Sequence, residues 1–175
     1  RNRGTVVGSI VHADPASELP AVALALGADL LVSGPGGSRV IAARDFFVAP
    51  YWTTLEHGEF VTAVRFPKDA PGTITAVEEY ARRTGDFAIA GVAVRASGRE
   101  ISMAAFGVGA TPIRLSETER AATDSPCSLT QLRAALRADV PTPTADGQAS
   151  AAYRGELLAT ITERALQHCN IPVER

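Results

Sequence analysis

The segment AIAGVAVRASGREISMAAF, residues 88–106, decides the fold class that this chain is expected to adopt. Two apolar runs of small and β-branched residues flank the turn SGRE, and this pattern predicts two adjacent antiparallel strands. Small residues are concentrated in and just before the first run: Ala88, Ala90, Gly91 and Ala93. We therefore expect another element to pack closely on the first strand.

The residues on either side of this hairpin predict a three-stranded antiparallel sheet packed on helices. TITAVEEYARR, residues 73–83, is typical of a preceding strand, and SETERAA begins a helix with a capping box formed by Ser116 and Glu119. A second helix is predicted to begin at Ser128, and a third to cover residues 151–169. Three helices against such a sheet form an α+β arrangement.

The N-terminal part of the chain predicts a smaller antiparallel sheet with helices. TVVGSIV, residues 5–11, is interpreted as an extended segment that Gly8 interrupts with a bulge. A helix is predicted from about Pro20 to Gly27. DLLVS and SRVIA flank GPGG, residues 34–37, and the two runs predict a hairpin.

A break in the apolar pattern divides the chain into two predicted units. KDAPGT, residues 68–73, combines proline, glycine and charges, and it follows the alternating strand FVTAVRFP. We therefore expect one unit over residues 1–67 and a second over residues 73–175. Aromatic residues between the strands of the first unit are expected to form core rather than a cofactor stack: Phe46, Phe47, Tyr51 and Trp52.

Composition excludes several classes of function. The chain has 17 basic and 19 acidic side chains, and its formal net charge of -2 argues against a broad nucleic-acid interface. No apolar run reaches the roughly 18 to 20 residues that a membrane span needs. No signal peptide is recognised, so a cytoplasmic location is expected. Cys127 and Cys169 lack the spacing of a metal site and are expected to be reduced thiols.

No residue is identified as a catalytic acid, base or nucleophile, and no metal site is expected. Ser9, His12 and Asp14 lie too close in sequence to form a triad, whose members normally come from different elements. The GPGG segment lacks the Lys-Ser/Thr pair and the following helix of a P-loop, so it is interpreted as a turn.

The segment GTVVGSIVHADPASELP, residues 4–20, carries the functional hypothesis. Peptide N–H groups around a glycine-containing bend bind anions without a lysine. A carboxylate such as that of Glu18 accepts hydrogen bonds from ribose or ribityl hydroxyls, as acidic residues do in dinucleotide-binding folds. On spacing alone, nucleotide binding and simple core packing of this segment both stay open.

Segments spread over the whole chain resemble the medium, FAD-binding subunits of molybdenum hydroxylases. The resemblance is carried by RNRGTVVGSIVHADPASELPAVALALGADLLVSGPGGSRVIAARDFF, TLEHGEFVTAVRFP, RRTGDFAIAGVAV and YRGELLATITERAL. The aerobic carbon monoxide dehydrogenase type is more similar than the flavin domain of xanthine dehydrogenase. The resemblance implies that residues 1–67 form part of the middle, antiparallel α+β flavin subdomain. Residues 73–175 would form the family's C-terminal domain, a three-stranded antiparallel sheet on a helix bundle.

The resemblance also implies which residues contact the cofactor, FAD. The family's flavin-contacting Gly-Gly run falls on five consecutive positions: Thr5, Val6, Val7, Gly8 and Ser9. The resemblance places an acidic residue that holds flavin hydroxyls at Glu18, and Asp14 belongs to the same HADP segment. It places an apolar residue near the isoalloxazine at Val61. In xanthine dehydrogenase relatives a lysine contacts flavin at the position of Glu78.

Two of these positions depart from the family pattern. Val7 stands where the family has glycine, and its Cβ is expected to crowd a diphosphate and to disfavour a positive φ. Ser9 stands where the family has Asp or Asn, which weakens hydrogen bonding. The family's N-terminal half, with its second glycine-rich phosphate loop, has no counterpart in this sequence. We therefore expect a truncated, C-terminal portion of a flavoprotein subunit that is inactive alone and binds FAD weakly or not at all.

By resemblance, the function is electron transfer as an oxidoreductase subunit. FAD would accept electrons from iron–sulfur clusters on a partner subunit, which receives them from a molybdenum cofactor on a third, and would pass them to an external acceptor. Two alternatives stay open. One is a flavin-free fragment that acts only as a structural or subunit-docking module, and the other is a small-molecule binding α+β module that uses Tyr51 and Trp52.

Overall fold

The computed structural model describes residues 4–124 and 127–174. Its helices, in chain order, are α1 (Val6–His12), α2 (Glu18–Ala25), α3 (Ser116–Thr123), α4 (Leu129–Asp139) and α5 (Ala151–His168), with a 3-10 turn at Ala43–Asp45. Its strands are β1 (Asp29–Gly34), β2 (Gly37–Ala42), β3 (Phe47–Ala49), β4 (Trp52–Thr53), β5 (Phe60–Arg65), β6 (Ile74–Tyr80), β7 (Ala90–Ser97), β8 (Glu100–Phe106), β9 (Ile113–Arg114), β10 (Cys127–Ser128) and β11 (Val173–Glu174).

The N-terminal half contains a three-stranded antiparallel sheet in the order β2-β1-β5. The β1–β2 hairpin closes at the Gly34–Gly37 pair, which confirms the predicted turn over GPGG. Strands β3 and β4 form a separate two-stranded ribbon. One apolar cluster joins the sheet to α1 and α2, and its fully buried members include Ile10, Ala23 and Leu30.

The C-terminal half contains a four-stranded antiparallel sheet in the order β6-β7-β8-β9. Strands β6, β7 and β8 are those that the sequence predicts, and the two-residue β9 adds a short fourth strand beside β8. One face of this sheet packs on α3, α4 and α5 around buried residues such as Val92, Met103 and Leu158. Strands β10 and β11 form a short parallel pair. The predicted α+β fold class is confirmed.

Helix α2 covers the other face of the four-stranded sheet. Its Ala21 and Leu24 pack with Ala93, Ala104 and Phe106 in a cluster that joins the two halves of the molecule. Gly91 pairs directly with Phe106, and a Cβ at Gly91 would overlap the Phe106 ring. The prediction that an element packs closely on the first strand of this hairpin is confirmed. Residues 68–73 link the two halves, and the division at this point stays a prediction.

Two details differ from the sequence-based expectations. The predicted capping box of α3 is absent because Glu119 instead accepts the Met103 amide (2.6 Å) and pairs with Arg114. The first turn of α3 is capped from α4, whose Asp139 accepts the amide (2.9 Å) and hydroxyl (2.7 Å) of Thr118. A tertiary partner has therefore replaced a local one.

The aromatic cluster is also only partly core. Phe46 is fully buried and Phe47 packs against the same cluster, as expected. Tyr51 and Trp52 are 60% and 65% exposed, so their assignment to the core is wrong. Tyr51 lies in the turn between β3 and β4, and Trp52 is the first residue of β4.

Candidate functional site

The segment that carries the functional hypothesis begins with a helix, not with the predicted strand. Thr5 is the N-cap of α1, and its hydroxyl oxygen accepts the Gly8 amide at 2.9 Å. A Cβ at Gly8 would lie 2.8 Å from that hydroxyl oxygen, so glycine permits the cap. Ile10, fully buried in the N-terminal core, anchors the helix. Capping and core packing have outweighed the β-propensity of the valines.

The start of α1 is open to solvent. Val6 is 51% exposed, Thr5 and Gly8 are also exposed, and no atom of the described residues lies within 4 Å of the position of a Cβ at Gly4. The amide groups of Val6 and Val7 come too early in the helix to find an acceptor within it. In the described part of the chain, positive φ values at non-glycine residues occur only at Ala13, Tyr51 and Asn170, so Val7 does not adopt the conformation that its Cβ disfavours, and the crowding of a diphosphate by that Cβ stays a prediction.

The turn after α1 is fixed by Asp14. Its Oδ1 accepts the Ala16 amide at 2.9 Å, and its Oδ2 accepts the Tyr51 hydroxyl at 3.3 Å. These two hydrogen bonds give both carboxylate oxygens of Asp14 a partner within the protein, and the residue is only 7% exposed. The negative charge of Asp14 is the main cause that raises the pKa of Tyr51, followed by burial and the hydrogen bond. Asp14 thus shapes the turn.

Two residues beside Asp14 adopt a left-handed backbone conformation without being glycine. Ala13 has φ 52 and Tyr51 has φ 59, and the Tyr51 amide donates to the Ala13 carbonyl at 2.9 Å. The rings of His12 and Tyr51 lie with their centroids 5.1 Å apart. Such strained residues persist only where the surroundings determine them, and they concentrate at functional sites. Nothing in the sequence signals this arrangement, because alanine and tyrosine rarely adopt positive φ.

Glu18 is the first residue of α2, directly after the N-cap Ser17. Its side chain is partly buried, and in residues 4–124 and 127–174 its carboxylate has no hydrogen bond or ion pair. The first turn of a helix stabilises a carboxylate through the helix dipole. Glu18 therefore combines a charge that the helix favours with acceptor atoms that the protein leaves available.

The other two predicted contacts lie in different places. Val61 is on β5 and packs against the cluster that contains Ile10, so the structure brings it to the α1 side of the sheet. Glu78 pairs with Val92 across β6 and β7 and therefore lies on the face that packs on α3 to α5. Its carboxylate contacts His168 Nδ1 at 2.8 Å. The structure does not bring Glu78 together with Glu18, because α2 covers the opposite face.

The described residues contain neither a metal-binding cluster nor a membrane-spanning helix. No group of three or more His, Cys, Asp or Glu side chains is placed there to hold a metal ion. Cys127 and Cys169 are free and buried, and burial raises the pKa of both thiols. Within those ranges no helix has the length and apolarity that crossing a membrane requires.

Comparison with protein families matches both halves of the chain. Residues 1–69 match the model described as the FAD binding domain in molybdopterin dehydrogenase, and residues 75–169 match the CO dehydrogenase flavoprotein C-terminal domain. The exposed start of α1 and Glu18 both lie in the first of these segments.

Individual relatives agree with the family matches. The chain is 37% identical to the 6-hydroxypseudooxynicotine dehydrogenase complex subunit alpha of Paenarthrobacter nicotinovorans, over 95% of this chain and 59% of that protein. It is 34% identical to the carbon monoxide dehydrogenase medium chain of Afipia carboxidovorans, over 95% of this chain and 60% of that protein. The chain thus spans about three fifths of the length of these curated relatives.

Solved structures show the same fold. A chain of the reconstituted CO dehydrogenase from Oligotropha carboxidovorans superposes with a TM-score of 0.88 at 32% identity, covering 97% of this chain and 62% of that one. A chain of quinoline 2-oxidoreductase from Pseudomonas putida 86 gives a TM-score of 0.85 at 28% identity, covering 97% of this chain and 61% of that one.

Proposed function

The chain belongs to the FAD-binding medium subunits of the molybdenum hydroxylases, and on that premise we propose that it supplies part of the FAD site of an electron-transferring flavoprotein subunit. Residues 1–67 would be part of the FAD-binding subdomain, and residues 73–175 the C-terminal domain of the CO dehydrogenase flavoprotein type. The observation that carries the proposal is that the segment matching the FAD-binding family model contains both an open helix start, at α1, and a carboxylate without a partner among the described residues, at the start of α2.

The residues present suit the cofactor in part. The open start of α1 offers the amides of Val6 and Val7 to a diphosphate, because unsatisfied helix N–H groups favour anions. The carboxylate of Glu18 would accept hydrogen bonds from ribityl hydroxyls. Val61 would supply apolar contact to the isoalloxazine. Bound flavin supplies redox chemistry that no side chain has, and the protein binds and orients it.

Three assigned positions have narrower roles in this proposal. Asp14 has both oxygens occupied within the protein, so it would hold the backbone between α1 and α2 rather than contact the cofactor directly. Ser9 lies in the second turn of α1, where its amide donates to Thr5, and would contribute mainly through its hydroxyl. Glu78 lies on the opposite face of the sheet, where its carboxylate contacts His168, so in this proposal it takes no part in FAD binding.

The proposed electron path needs partner subunits. Electrons would reach the flavin from iron–sulfur clusters on a second subunit, which would receive them from a molybdenum cofactor on a third, and would leave to an external acceptor. Two relatives are named as a dehydrogenase complex subunit and a medium chain, which supports a multi-subunit assembly. Such a complex would work in the cytoplasm.

FAD binding is tested with two matched variants, Glu18→Gln and Glu78→Gln. We expect the chain to bind FAD saturably but weakly in a titration followed by flavin fluorescence and equilibrium dialysis. Glu18→Gln should weaken binding by roughly tenfold, since a hydrogen bond to a charged acceptor contributes about 1.5–3 kcal/mol. Glu78→Gln should leave it unchanged. Equal losses in both variants would contradict the assigned site, and no saturable binding up to about 1 mM FAD would contradict FAD binding by this chain.

The partners are tested separately by purifying the tagged protein from its own cells. We expect co-purified polypeptides that carry iron, acid-labile sulfide and molybdenum, measured by elemental and sulfide analysis. Co-purification of these subunits with a chain that binds no FAD would favour the structural docking module instead. Purification without iron or molybdenum would contradict the proposed complex.

A further inference from the structure

A cavity of about 400 Å³ lies between α4, residues 141–143 and the first turns of α5. These helices pack on the face of the four-stranded sheet opposite to α2, so the cavity is separate from the proposed FAD contacts on α2. Its volume is in the range of small-molecule sites. Buried apolar side chains form its floor: Leu136, Val140, Leu158 and Ala159.

A helical glycine keeps one wall of this cavity open. Gly155 is the fifth residue of α5 and has no positive φ, so its backbone conformation does not require glycine. A Cβ at this position would meet only Pro143 Cγ at 3.7 Å, an ordinary van der Waals contact. A helix with glycine at an interior position is less stable than the same helix with alanine there. Neither the backbone conformation nor a neighbouring atom of the described residues requires glycine at position 155, and its missing side chain leaves this wall of the cavity open.

The rim of the cavity has an excess of positive charge. Arg133 and Arg137 share the single carboxylate of Glu156, with N–O distances of 2.7 Å and 3.5 Å. Two guanidinium groups and one carboxylate leave one positive charge without compensation. The Nε of Arg133 is buried and has no hydrogen-bond partner among the described residues. That nitrogen is closed to solvent, so an anion would meet the exposed parts of the two guanidinium side chains, Arg133 at 37% and Arg137 at 74% exposure, and a guanidinium is suited to a carboxylate.

The start of α5 adds further donors at the same place. Ala151 and Ala152 are its first two residues and both line the cavity. The hydroxyl of the N-cap Ser150 accepts the Tyr153 amide at 3.2 Å, so it does not serve the two alanines. Amides at these two positions have no acceptor within a helix. The cavity thus joins an apolar floor to a rim that attracts an anion.

From this combination we propose that the cavity binds a small free organic carboxylate with an apolar body. The carboxylate would face Arg133 and the start of α5, and the apolar body would lie against Leu136 and Leu158. The positive charge of the rim favours an anionic ligand, and the apolar floor favours a ligand whose remaining part is apolar. This site is independent of the proposed FAD function.

Sodium octanoate and octanamide form a matched pair of probes, because they share a chain length and differ in charge. Titrated into the ¹⁵N-labelled protein, octanoate should shift the Nε–H signal of Arg133 and the amide signals of Ala151, Ala152 and Gly155. Octanamide should bind at least roughly tenfold more weakly, since charge-assisted hydrogen bonds are about twice as strong as neutral ones. Equal affinity for both probes would overturn the proposal.

Variants locate the binding. Gly155→Leu fills the cavity and favours the helix, so it should weaken octanoate binding at least roughly tenfold while the protein stays folded. Gly147→Leu makes the same change where no atom lies within 4 Å of a Cβ and should leave binding unchanged. Arg133→Met should remove binding, and Arg164→Met, on an exposed residue of α5, should not. Unchanged affinity in Gly155→Leu, or shifts confined to other surfaces, would overturn the proposed site.

Discussion

Two charged side chains that are almost completely buried hold turns in the two halves of the molecule, and they do so over different distances. Asp14, 7% exposed, holds the turn between α1 and α2 through the amide of Ala16, two residues away, and its one distant partner is the hydroxyl of the exposed Tyr51, 37 residues away. Arg154, 4% exposed, donates to the carbonyls of Ile89 and Gly107, which are 65 and 47 residues away. It also pairs with Asp146 at 2.6 Å.

The two side chains therefore have different roles: Asp14 shapes a segment that is open to a ligand, and Arg154 stabilises the fold. The N-terminal half fixes its turn through the neighbouring Ala16 and the exposed Tyr51, which leaves the start of α1 and the carboxylate of Glu18 available. The C-terminal half uses its buried cation to join the start of α5 to the sheet. The two arrangements meet where the Gly107 amide donates to the Pro15 carbonyl at 2.8 Å. Loss of the hydrogen bonds of Arg154 should therefore destabilise the whole chain, and loss of those of Asp14 should affect only the turn between α1 and α2.

The largest effect is expected for Arg154→Met. The substitution leaves the buried carbonyls of Ile89 and Gly107 without their donor, and each unsatisfied group costs about 1–3 kcal/mol. We expect the free energy of unfolding to fall by about 3 kcal/mol, measured by urea denaturation. Arg164→Met on the exposed side of the same helix should change it by less than about 0.5 kcal/mol. If Arg154→Met lowers the free energy of unfolding by less than about 1 kcal/mol, Arg154 does not hold the start of α5 to the sheet as described.

A smaller effect is expected at the contact between the halves. Gly91→Ala places a Cβ against the fully buried Phe106 ring, which cannot move without opening its packing on α2. We expect a loss of about 2 kcal/mol in the free energy of unfolding, within the range for overpacked cores. Gly36→Ala has no atom within 4 Å of the new Cβ and should change stability by less than about 0.5 kcal/mol.

A double variant isolates the overlap. In the background of Phe106→Leu the ring is absent, so the added cost of Gly91→Ala should fall by at least about 1 kcal/mol, a coupling typical of residues in contact. Additive costs in the double variant would show that Gly91 is needed for another reason.

The sequence predicted the regular parts of both halves and missed their tertiary partners. The β1–β2 and β7–β8 hairpins follow from alternating apolar runs around short turns, and α5 follows from its helical periodicity. The strand predicted over residues 5–11 is wrong because the Thr5 cap and the burial of Ile10 are not visible in β-propensity. The roles of Asp139 and Arg154 could not be predicted, since their partners are distant in sequence.

The same limit applies to the candidate site. The resemblance placed flavin contacts on the segment that forms the open start of α1, but it could not reveal that both carboxylate oxygens of Asp14 have partners within the protein, Ala16 and Tyr51. It also could not reveal that Glu78 lies on the opposite face of its sheet, since that face depends on register. Successive side chains along a strand point to opposite faces of the sheet. An error of one residue in the predicted register therefore places a predicted contact on the wrong face.

The smallest effect is expected for Asp14→Asn, which tests whether the N-terminal turn is local. Asparagine can still accept the Ala16 amide, so the turn is retained while the negative charge is removed. The pKa of Tyr51 should fall toward its ordinary value of 10.0, because the charge of Asp14 is the main cause that raises it. The pKa of Tyr153 is raised by burial first and by Tyr80 second, so it should not change. Resolved NMR titration of the two tyrosine rings measures both values.

The sign of this effect on stability follows from linkage. A tyrosine whose pKa is higher in the folded protein stabilises it fully at a pH below 10, and this contribution is lost as the pH rises through the folded pKa. Tyr51 is 60% exposed, so solvent screens the interaction, and the free energy of unfolding at pH 7 should change by less than about 0.5 kcal/mol. A loss as large as that of Arg154→Met would mean that Asp14 holds more than its own turn, and the contrast between a local and a long-range anchor would fail.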